Sequence, residues 1–278
     1  MPIKTYLDFL EVEQDIKDNA PPIVYKYRTW THVNHKNVLT KTQLWFGHPF
    51  DMNDPLDVRP DLAYDTAEIE SEAFYQKLLN TIPPEYSQLS YPEKVELAQS
   101  QWQQIKADPN SHFNANRQQL LQRECFDQYG ILSTSSDCLN IPTWEVYGDS
   151  HQGYAIGFNT LELARQIRCT TGVVTYSDNP FLYSFLGDHE EGDILLNKKT
   201  AWAYEQEFRF ITVGIEIYRD RLITVAPETV SELVLGYKIS VDNEKEILAE
   251  VQKRYSTSLP IYKTEMNSAG QLVRKQIN

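Results

Sequence analysis

The stretch KKTAWAYEQEFRFITV, residues 198–213, is the most informative part of the chain. Its second half is aromatic, apolar and β-branched, which predicts a β-strand. Because side chains alternate along a strand, Glu205, Glu207 and Arg209 would share one face. Paired carboxylates push each other's pKa values apart, and a nearby arginine keeps at least one of them charged. The pattern therefore indicates either chemistry at an electron-poor carbon or the solvated face of an edge strand.

The same alternation would place Phe208 and Phe210 on the opposite face, together with Gln206. Outward from this stretch, further short apolar runs are bounded by turn-forming residues, which is typical of strands. We predict strands at residues 23–28, 44–46, 129–134, 154–158, 172–176, 207–214, 221–225, 232–235 and 259–262. We predict helices at residues 5–18, 31–42, 92–107, 114–127 and 242–254.

Residues 61–128 differ in character, because helical patterns dominate there. Ser90 and Pro92 form a helix start signal before the pattern of 92–107. No linker rich in Gly, Ser or Pro frames the region. We therefore predict one domain over 1–278, of the α+β class. Its core would be a mixed, mostly antiparallel sheet, with a helical insertion at about 61–128.

Composition limits the classes of partner. The net charge of −13 argues against binding of long duplex nucleic acid, which needs clustered Lys and Arg. No signal peptide is visible, and no apolar run approaches the length of a membrane span. The three cysteines, Cys125, Cys138 and Cys169, are odd in number and lack metal-type spacing. We expect a cytoplasmic protein with no membrane contact and no metal site.

Two groups of polar residues follow predicted strands. Arg28 ends the strand 23–28, where it could hold a phosphate or pyrophosphate with two hydrogen bonds, or simply face solvent. Ser133, Thr134, Ser135 and Ser136 end the strand that begins at residue 129. These hydroxyls could bond a ribose or orient a carboxylate. Alternatively they cap a turn, because Ser and Thr readily bond their own backbone.

A third group lies in residues 143–158. Trp144 and Tyr147 are three residues apart, which places them on one face of a short helix. His151 follows in a polar turn before Gly153. It could act as acid, base or hydrogen-bond donor, or be a structural histidine. The chain has no nucleophile elbow, no P-loop and no dinucleotide-binding glycine fingerprint.

Taken in order, these segments resemble a bacterial family known chiefly as a domain of unknown function. Members of this family are associated with defence or mobile regions. The resemblance covers nearly the whole chain and rests on several motifs. They are Tyr25-Lys26-Tyr27-Arg28, Leu44-Trp45-Phe46, Asn53-Asp54-Pro55, Ser133, Trp144, Tyr147, His151-x-Gly153, Lys198, Trp202, Tyr204-Glu205, Glu207, Arg209 and Leu235-Gly236.

A second resemblance covers only short motifs. An Arg, then S-T-S on a strand, then E-x-E leading into a strand is similar to the Arg-Ser-Glu class of ADP-ribosyltransferases. Arg28 matches the arginine, Ser133–Ser135 the S-T-S, and Glu205–Glu207 the E-x-E. Two features depart from that class. The spacing from Arg28 to Ser133 is long, and the tryptophan-rich and N-D-P motifs are not part of its pattern.

This second resemblance implies an ADP-ribosyltransferase-like fold and NAD as substrate. Arg28 would hold the pyrophosphate, and Ser133 would bond the ribose or position Glu207. Glu207 would accept a hydrogen bond from the ribose and stabilise the oxocarbenium-like centre as nicotinamide leaves, as in glycoside cleavage. Glu205 would orient or deprotonate the acceptor, which is unknown. The implied activity is ADP-ribosyl transfer or NAD hydrolysis, in a bacterial defence or toxin effector.

The remaining predicted contacts are with the cofactor. Ser135 belongs to the cofactor-binding set, Tyr27, Tyr147 or Trp202 would stack on the nicotinamide ring, and His151 would support the rim. The alternative is a non-enzymatic sensor or adaptor, which would use exposed aromatic residues around 144–151 and 202 as a binding surface. A nuclease is a third interpretation, without a visible metal cluster. Convergence of the arginine, serine and glutamate on one cleft would favour the enzyme.

Overall fold

The computed structural model describes residues 6–58, 61–109, 128–186, 194–214, 220–255 and 259–278, with side chains from residue 12 onward. Its helices are α1 (Tyr6–Asn19), α2 (Val33–Thr40), α3 (Thr66–Ile69), α4 (Glu72–Asn80), α5 (Tyr91–Ala107), α6 (Ile141–Tyr147), α7 (Thr160–Ile167) and α8 (Val241–Arg254). Short 3-10 helices include Pro49–Asp51 and Thr200–Glu205. Within this part of the chain, no helix is both long and apolar enough to cross a membrane.

The strands alternate with these helices along the chain. They are β1 (Ile23–Arg28), β2 (Gln43–Trp45), β3 (Leu62–Tyr64), β4 (Tyr129–Ser135), β5 (Tyr154–Asn159), β6 (Thr170–Val173), β7 (Thr175–Tyr176), β8 (Phe181–Tyr183), β9 (Asn197–Lys198), β10 (Glu207–Val213), β11 (Leu222–Thr224), β12 (Val230–Leu235), β13 (Ile261–Met266) and β14 (Leu272–Gln276).

An eight-stranded sheet forms the centre, in the order β14-β13-β12-β5-β1-β4-β10-β6. Its neighbouring strands are antiparallel except β12 and β13, which are parallel. The chain is therefore of the α+β class with a mixed, mostly antiparallel sheet, as the sequence predicts. Pairs of short strands lie outside this sheet, namely β2 with β11, β3 with β8, and β7 with β9.

Apolar side chains cover both faces of the sheet. One cluster joins Val24 and Phe210 of the strands to Leu39 of α2 and Ile247 of α8, all fully or almost fully buried. A second cluster lies on the other face and contains Trp144 of α6. Burial of this kind contributes about 25 cal/mol for each Å² of apolar surface removed from water. The sheet is thus held between helices at the level of β1.

The sheet splits between β1 and β4. All six residues of β1 pair with β5, and β10 pairs with β4 from Glu207 to Val213. In contrast, β1 and β4 are paired at a single register position, Tyr25 opposite Ser135. Beyond it, the Lys26 side chain donates a hydrogen bond to the Ser133 carbonyl. A side chain thus takes the place of a backbone ladder, and the space between the diverging strands forms a cleft.

Two predictions from residues 198–213 are wrong. The strand β10 lies between β4 and β6, so it is not an edge strand, and Glu207 and Arg209 are 3% and 0% exposed. Glu205 and Gln206 do not belong to the strand. Glu205 ends the 3-10 helix, and Gln206 has a left-handed backbone with φ of 45°. That turn breaks the alternation, which holds only from Glu207 onward.

Helices α3, α4 and α5 lie within the stretch predicted as a helical insertion, together with β3. The predicted helix 114–127 lies outside the described residues. The predicted strand 172–176 is interrupted into β6 and β7. Five elements, β3, β8, β9, α7 and β14, have no counterpart among the predicted strands and helices.

Candidate functional site

A cleft of about 520 Å³ opens where β1 and β4 diverge. Its walls come from β1, β4, α6, β9 and the segment between residues 47 and 57. A volume of this size is ordinary for a small-molecule site. Seven of the residues predicted from the sequence line it: Tyr27, Arg28, Ser133, Ser135, Tyr147, Glu205 and Glu207.

One end of the cleft is a buried ion network of three carboxylates and two cations. Lys198 Nζ lies 2.5 Å from Glu205 Oε2, 3.2 Å from Glu207 Oε2 and 3.4 Å from Asp57 Oδ2. Arg209 donates from Nε to Glu207 Oε1 at 2.8 Å and from Nη2 to Asp57 Oδ1 at 2.7 Å. All five side chains are buried. The network carries one formal negative charge more than it carries positive.

Local sequence explains how the chain assembles this network. Alternation along β10 puts Glu207 and Arg209 on the cleft face and Phe208 with Phe210 on the core face. The left-handed turn at Gln206 then brings the Glu205 carboxylate to the same lysine. The Ser135 hydroxyl fixes this turn from β4, because it donates to the Glu205 carbonyl at 2.8 Å.

The network sets the protonation of its members. Burial alone would raise the pKa of Glu207, but Arg209, Lys198 and a hydrogen bond from Ser133 lower it to about 2. Burial disfavours the charged form of Lys198, yet Glu207, Asp57 and Glu205 together hold its pKa above the usual value. Glu207 is therefore ionised throughout the physiological pH range.

A hydrogen-bonded chain connects the network to the N-D-P turn. The Tyr147 hydroxyl donates to Glu205 Oε1 at 2.6 Å and accepts from Asn53 Nδ2 at 2.8 Å. Burial and the Glu205 charge raise the pKa of Tyr147, so its hydroxyl remains a donor. Both oxygens of Glu205 are thus occupied, one by Tyr147 and one by Lys198.

The strand β1 contributes two basic side chains, Lys26 and Arg28, to the middle of the cleft. Arg28 is partly buried and donates from Nη1 to the Tyr27 carbonyl at 3.0 Å. Its Nε has no hydrogen-bond partner within the described chain. Burial lowers the pKa of both cations, that of Lys26 well below its usual value. His35 also lines the cleft, and burial together with the Arg28 charge lowers its pKa to about 4.

Some predicted residues lie outside the cleft or serve the core. Tyr27 donates its hydroxyl to the Asp137 carbonyl at 2.5 Å and packs edge-on against Trp144. His151 does not line the cleft. It is 1% exposed, stacks on Trp144, and lies 3.2 Å from Glu145 through Nε2. The prediction of an exposed aromatic surface around 144–151 is wrong, because Trp144 is fully buried.

Trp202 is also absent from the cleft wall, although it lies close behind it. Its ring is 4.9 Å from Lys198 Nζ, in a cation–π contact, and 6.1 Å from the ring of Tyr204. It supports the lysine that holds the carboxylates. Exposed aromatic surface is found instead at Trp45 of the cleft wall, which is 55% exposed.

Three residues of the site were not predicted from the sequence, namely Asp57, Lys198 as a network member, and Lys26. Asp57 follows the N-D-P turn, in which Asp54 Oδ1 accepts from the Leu56 amide at 2.9 Å. The acidic residues clustered in this turn, Asp51, Asp54 and Asp57, were the available signal. Lys198 could have been found from its position in the same motif as Glu205 and Glu207.

Comparison with known proteins adds one similarity. Neither the curated proteins nor the solved structures include a match to this chain. Residues 143–210 begin within α6 and carry Tyr147, Lys198, Glu205 and Glu207 of the cleft wall, together with Arg209 of the ion network. The resemblance to a domain of unknown function is therefore confirmed over this segment, which matches the family described as protein of unknown function (DUF2971).

Proposed function

We propose that the protein cleaves the bond between nicotinamide and ribose in NAD, as an ADP-ribosyltransferase or NAD glycohydrolase. The observation that supports this most is convergence. Arg28, Ser133 and Glu207 come from three distant parts of the chain and line one cleft. The resemblance to Arg-Ser-Glu ADP-ribosyltransferases requires these three side chains to lie in one cleft. A non-enzymatic adaptor would not require it.

The distribution of charge in the cleft suits this substrate. NAD combines an anionic pyrophosphate with a positively charged nicotinamide ring. Arg28 offers a cation for the pyrophosphate, and a guanidinium can bind it with two parallel hydrogen bonds. The network around Glu207 carries excess negative charge at the other end. A dinucleotide that spans both ends would place its cationic ring near the carboxylates.

The ionisation of Glu207 suits a particular chemical role. Its pKa of about 2 means that it cannot donate a proton near neutral pH. A fixed carboxylate can instead stabilise the positive charge that develops on the ribose as nicotinamide leaves. Nicotinamide departs as a neutral molecule with the electron pair of the broken bond, so it needs no acid. A single well-placed group of this kind contributes about 3 kcal/mol to transition-state stabilisation.

The remaining residues hold this carboxylate in place. Ser133 hydrogen-bonds Glu207, and Arg209 binds both of its oxygens. Rotation of the carboxylate would break these contacts, so the negative charge is preorganised. The attacking group is water or a nucleophile of a protein, nucleic acid or small molecule.

The test is release of nicotinamide from NAD by the native chain and by Glu207→Gln. We expect the variant to lose about 100-fold in kcat, because about 3 kcal/mol of stabilisation corresponds to that factor. Glu265→Gln, on an exposed position of β13, is the matched control and should behave as the native chain. A melting curve for each variant verifies folding.

Two results would contradict the proposal. One is the absence of nicotinamide release by the native chain across a range of acceptors. The other is equal release by the native chain and a folded Glu207→Gln. Binding of NAD without turnover would favour the sensor interpretation of the same cleft.

A further inference from the structure

Two lysines line the cleft, and their surroundings differ. Lys198 has three carboxylates within 3.4 Å. Lys26 has no carboxylate partner in the described part of the chain, and its Nζ donates to the Ser133 carbonyl. Lys198 is therefore committed to the ion network, whereas Lys26 lines the cleft outside that network.

The reaction proposed above needs a base that neither glutamate supplies. The attacking water or hydroxyl must lose a proton once it bonds to the ribose. Glu207, with a pKa of about 2, is too weak a base to hold that proton. Glu205 has one oxygen bound to Lys198 and the other to the Tyr147 hydroxyl. The first glutamate of the E-x-E motif is thus engaged in structure.

Lys26 lies where such a base is needed. It is on β1, two residues from Arg28, and crosses the split towards β4. The charged groups that face it are Arg28, Glu207, Glu205 and Lys198. It therefore lies beside Ser133, which hydrogen-bonds Glu207, and two residues along β1 from the arginine that would hold the pyrophosphate.

The protonation of Lys26 agrees with this position. Burial lowers its pKa well below the usual value, Arg28 and Lys198 act in the same direction, and the two glutamates oppose them. An unprotonated amine uses one N–H on the Ser133 carbonyl and retains a lone pair. Buried lysines act as general bases for this reason.

We propose that Lys26 is the general base of NAD cleavage, and that it takes the proton of the attacking water or hydroxyl; this rests on the function proposed above. The bond between nicotinamide nitrogen and ribose breaks, and its electron pair leaves with nicotinamide. An oxygen lone pair of the nucleophile forms the new bond to the ribose carbon. Its proton passes to Lys26 Nζ and then to solvent, and no group is oxidised or reduced.

The experiment compares nicotinamide release by the native chain, Lys26→Arg, Lys26→Met and Lys26→Ala. Arginine keeps a donor to the Ser133 carbonyl, but it stays protonated and cannot act as a base near neutral pH. We expect both Lys26→Arg and Lys26→Met to lose about 100-fold or more in kcat with little change in KM. Ethylamine should restore part of the rate of Lys26→Ala. The exposed Lys41→Met is the matched control and should behave as the native chain.

The pH profile gives an independent measure. In the native chain, kcat should fall as acid protonates Lys26, and this limb should be absent from the residual activity of Lys26→Met. If Lys26→Arg keeps the native kcat and Lys26→Met shows only a raised KM, the proposal is overturned. Lys26 would then be a contact for the phosphates of NAD. A folded Lys26→Ala without amine rescue would also overturn the proposal. If the native chain releases no nicotinamide, both proposals are contradicted. If release is the same in the native chain and the Lys26 variants, only the role of Lys26 is contradicted.

Discussion

At the scale of single residues, the site depends on charges that are expensive to bury. Moving a carboxylate or an ammonium out of water costs several kcal/mol even after the surroundings relax. Arg209 is fully buried and reaches two carboxylates, Glu207 and Asp57, so its charge is matched on both sides. Apolar residues of similar volume would fill this space at lower cost. The network is therefore better explained by function than by stability.

The pH dependence of stability follows from Glu207. Its pKa is about 2 in the folded chain and 4.5 ordinarily, so folding favours its charged form. The stabilisation is present above about pH 4.5 and is lost as the pH falls towards about pH 2. It amounts to up to about 3 kcal/mol. Urea unfolding between about pH 6 and about pH 3 should therefore show the native chain losing its advantage over Glu207→Gln.

A matched control separates this carboxylate from general acid effects. Glu265→Gln removes an exposed carboxylate and should leave the pH dependence of unfolding close to that of the native chain. A constant difference in unfolding free energy between native chain and Glu207→Gln over the whole range would contradict the lowered pKa.

How far the sequence predicts the site differs from residue to residue. Arg28, Ser133 and Glu207 were predicted because the order of three short motifs matches a known class. Asp57 was not, since nothing local marks it as the partner of Arg209, which meets it only in the folded chain. Long-range ion pairs depend on the sheet order, and residue periodicity carries no information about that order.

At the scale of elements, alternation and turn residues predict most strands to within a residue or two. They fail where a conformation is set by a single backbone angle, as at Gln206. They also fail for β14, whose sequence LVRKQ is largely polar because it lies at the edge of the sheet. Helix α7 carried a readable start, since Asn159 caps it by accepting from the Glu162 amide.

The start of β5 is held against the end of β1 by a glycine. A Cβ added at Gly153 would lie 2.2 Å from the Arg28 carbonyl oxygen, and backbone cannot move aside as a flexible side chain can. We expect Gly153→Ala to displace the end of β1, to reduce the free energy of unfolding by about 2 kcal/mol and to raise KM for NAD through Arg28. Urea unfolding and nicotinamide-release kinetics measure the two effects.

Gly47→Ala is the control for stability, because a Cβ there would meet Met52 Cε at 3.4 Å, an ordinary contact. It should unfold within about 0.5 kcal/mol of the native chain. Equal stability of the two alanine variants would show that the chain accommodates the added methyl group at Gly153, and the link to Arg28 would then be unsupported.

At the scale of the whole molecule, the site is a consequence of an incomplete sheet. A continuous ladder between β1 and β4 would leave no room between Arg28 and the carboxylates. The pairing instead stops at Tyr25 and Ser135, and the exposed backbone of β4 is met by the side chain of Lys26. The chain as a whole is acidic, with a net charge of −13, yet it directs two basic side chains, Lys26 and Arg28, into this gap.

A ligand that bridges this split should stabilise the whole molecule. A compound that binds only the folded chain raises its stability by about 2.7 kcal/mol at a concentration 100 times its Kd. We therefore expect NAD, and the inert product ADP-ribose, to raise the melting temperature of the native chain. The rise should be much smaller in Arg28→Gln, which loses the pyrophosphate contact, and unchanged in Lys41→Met. If NAD raises the melting temperature of the native chain and of Arg28→Gln equally, the nucleotide binds outside the split. A ligand that spans β1 and β4 there would contact the arginine.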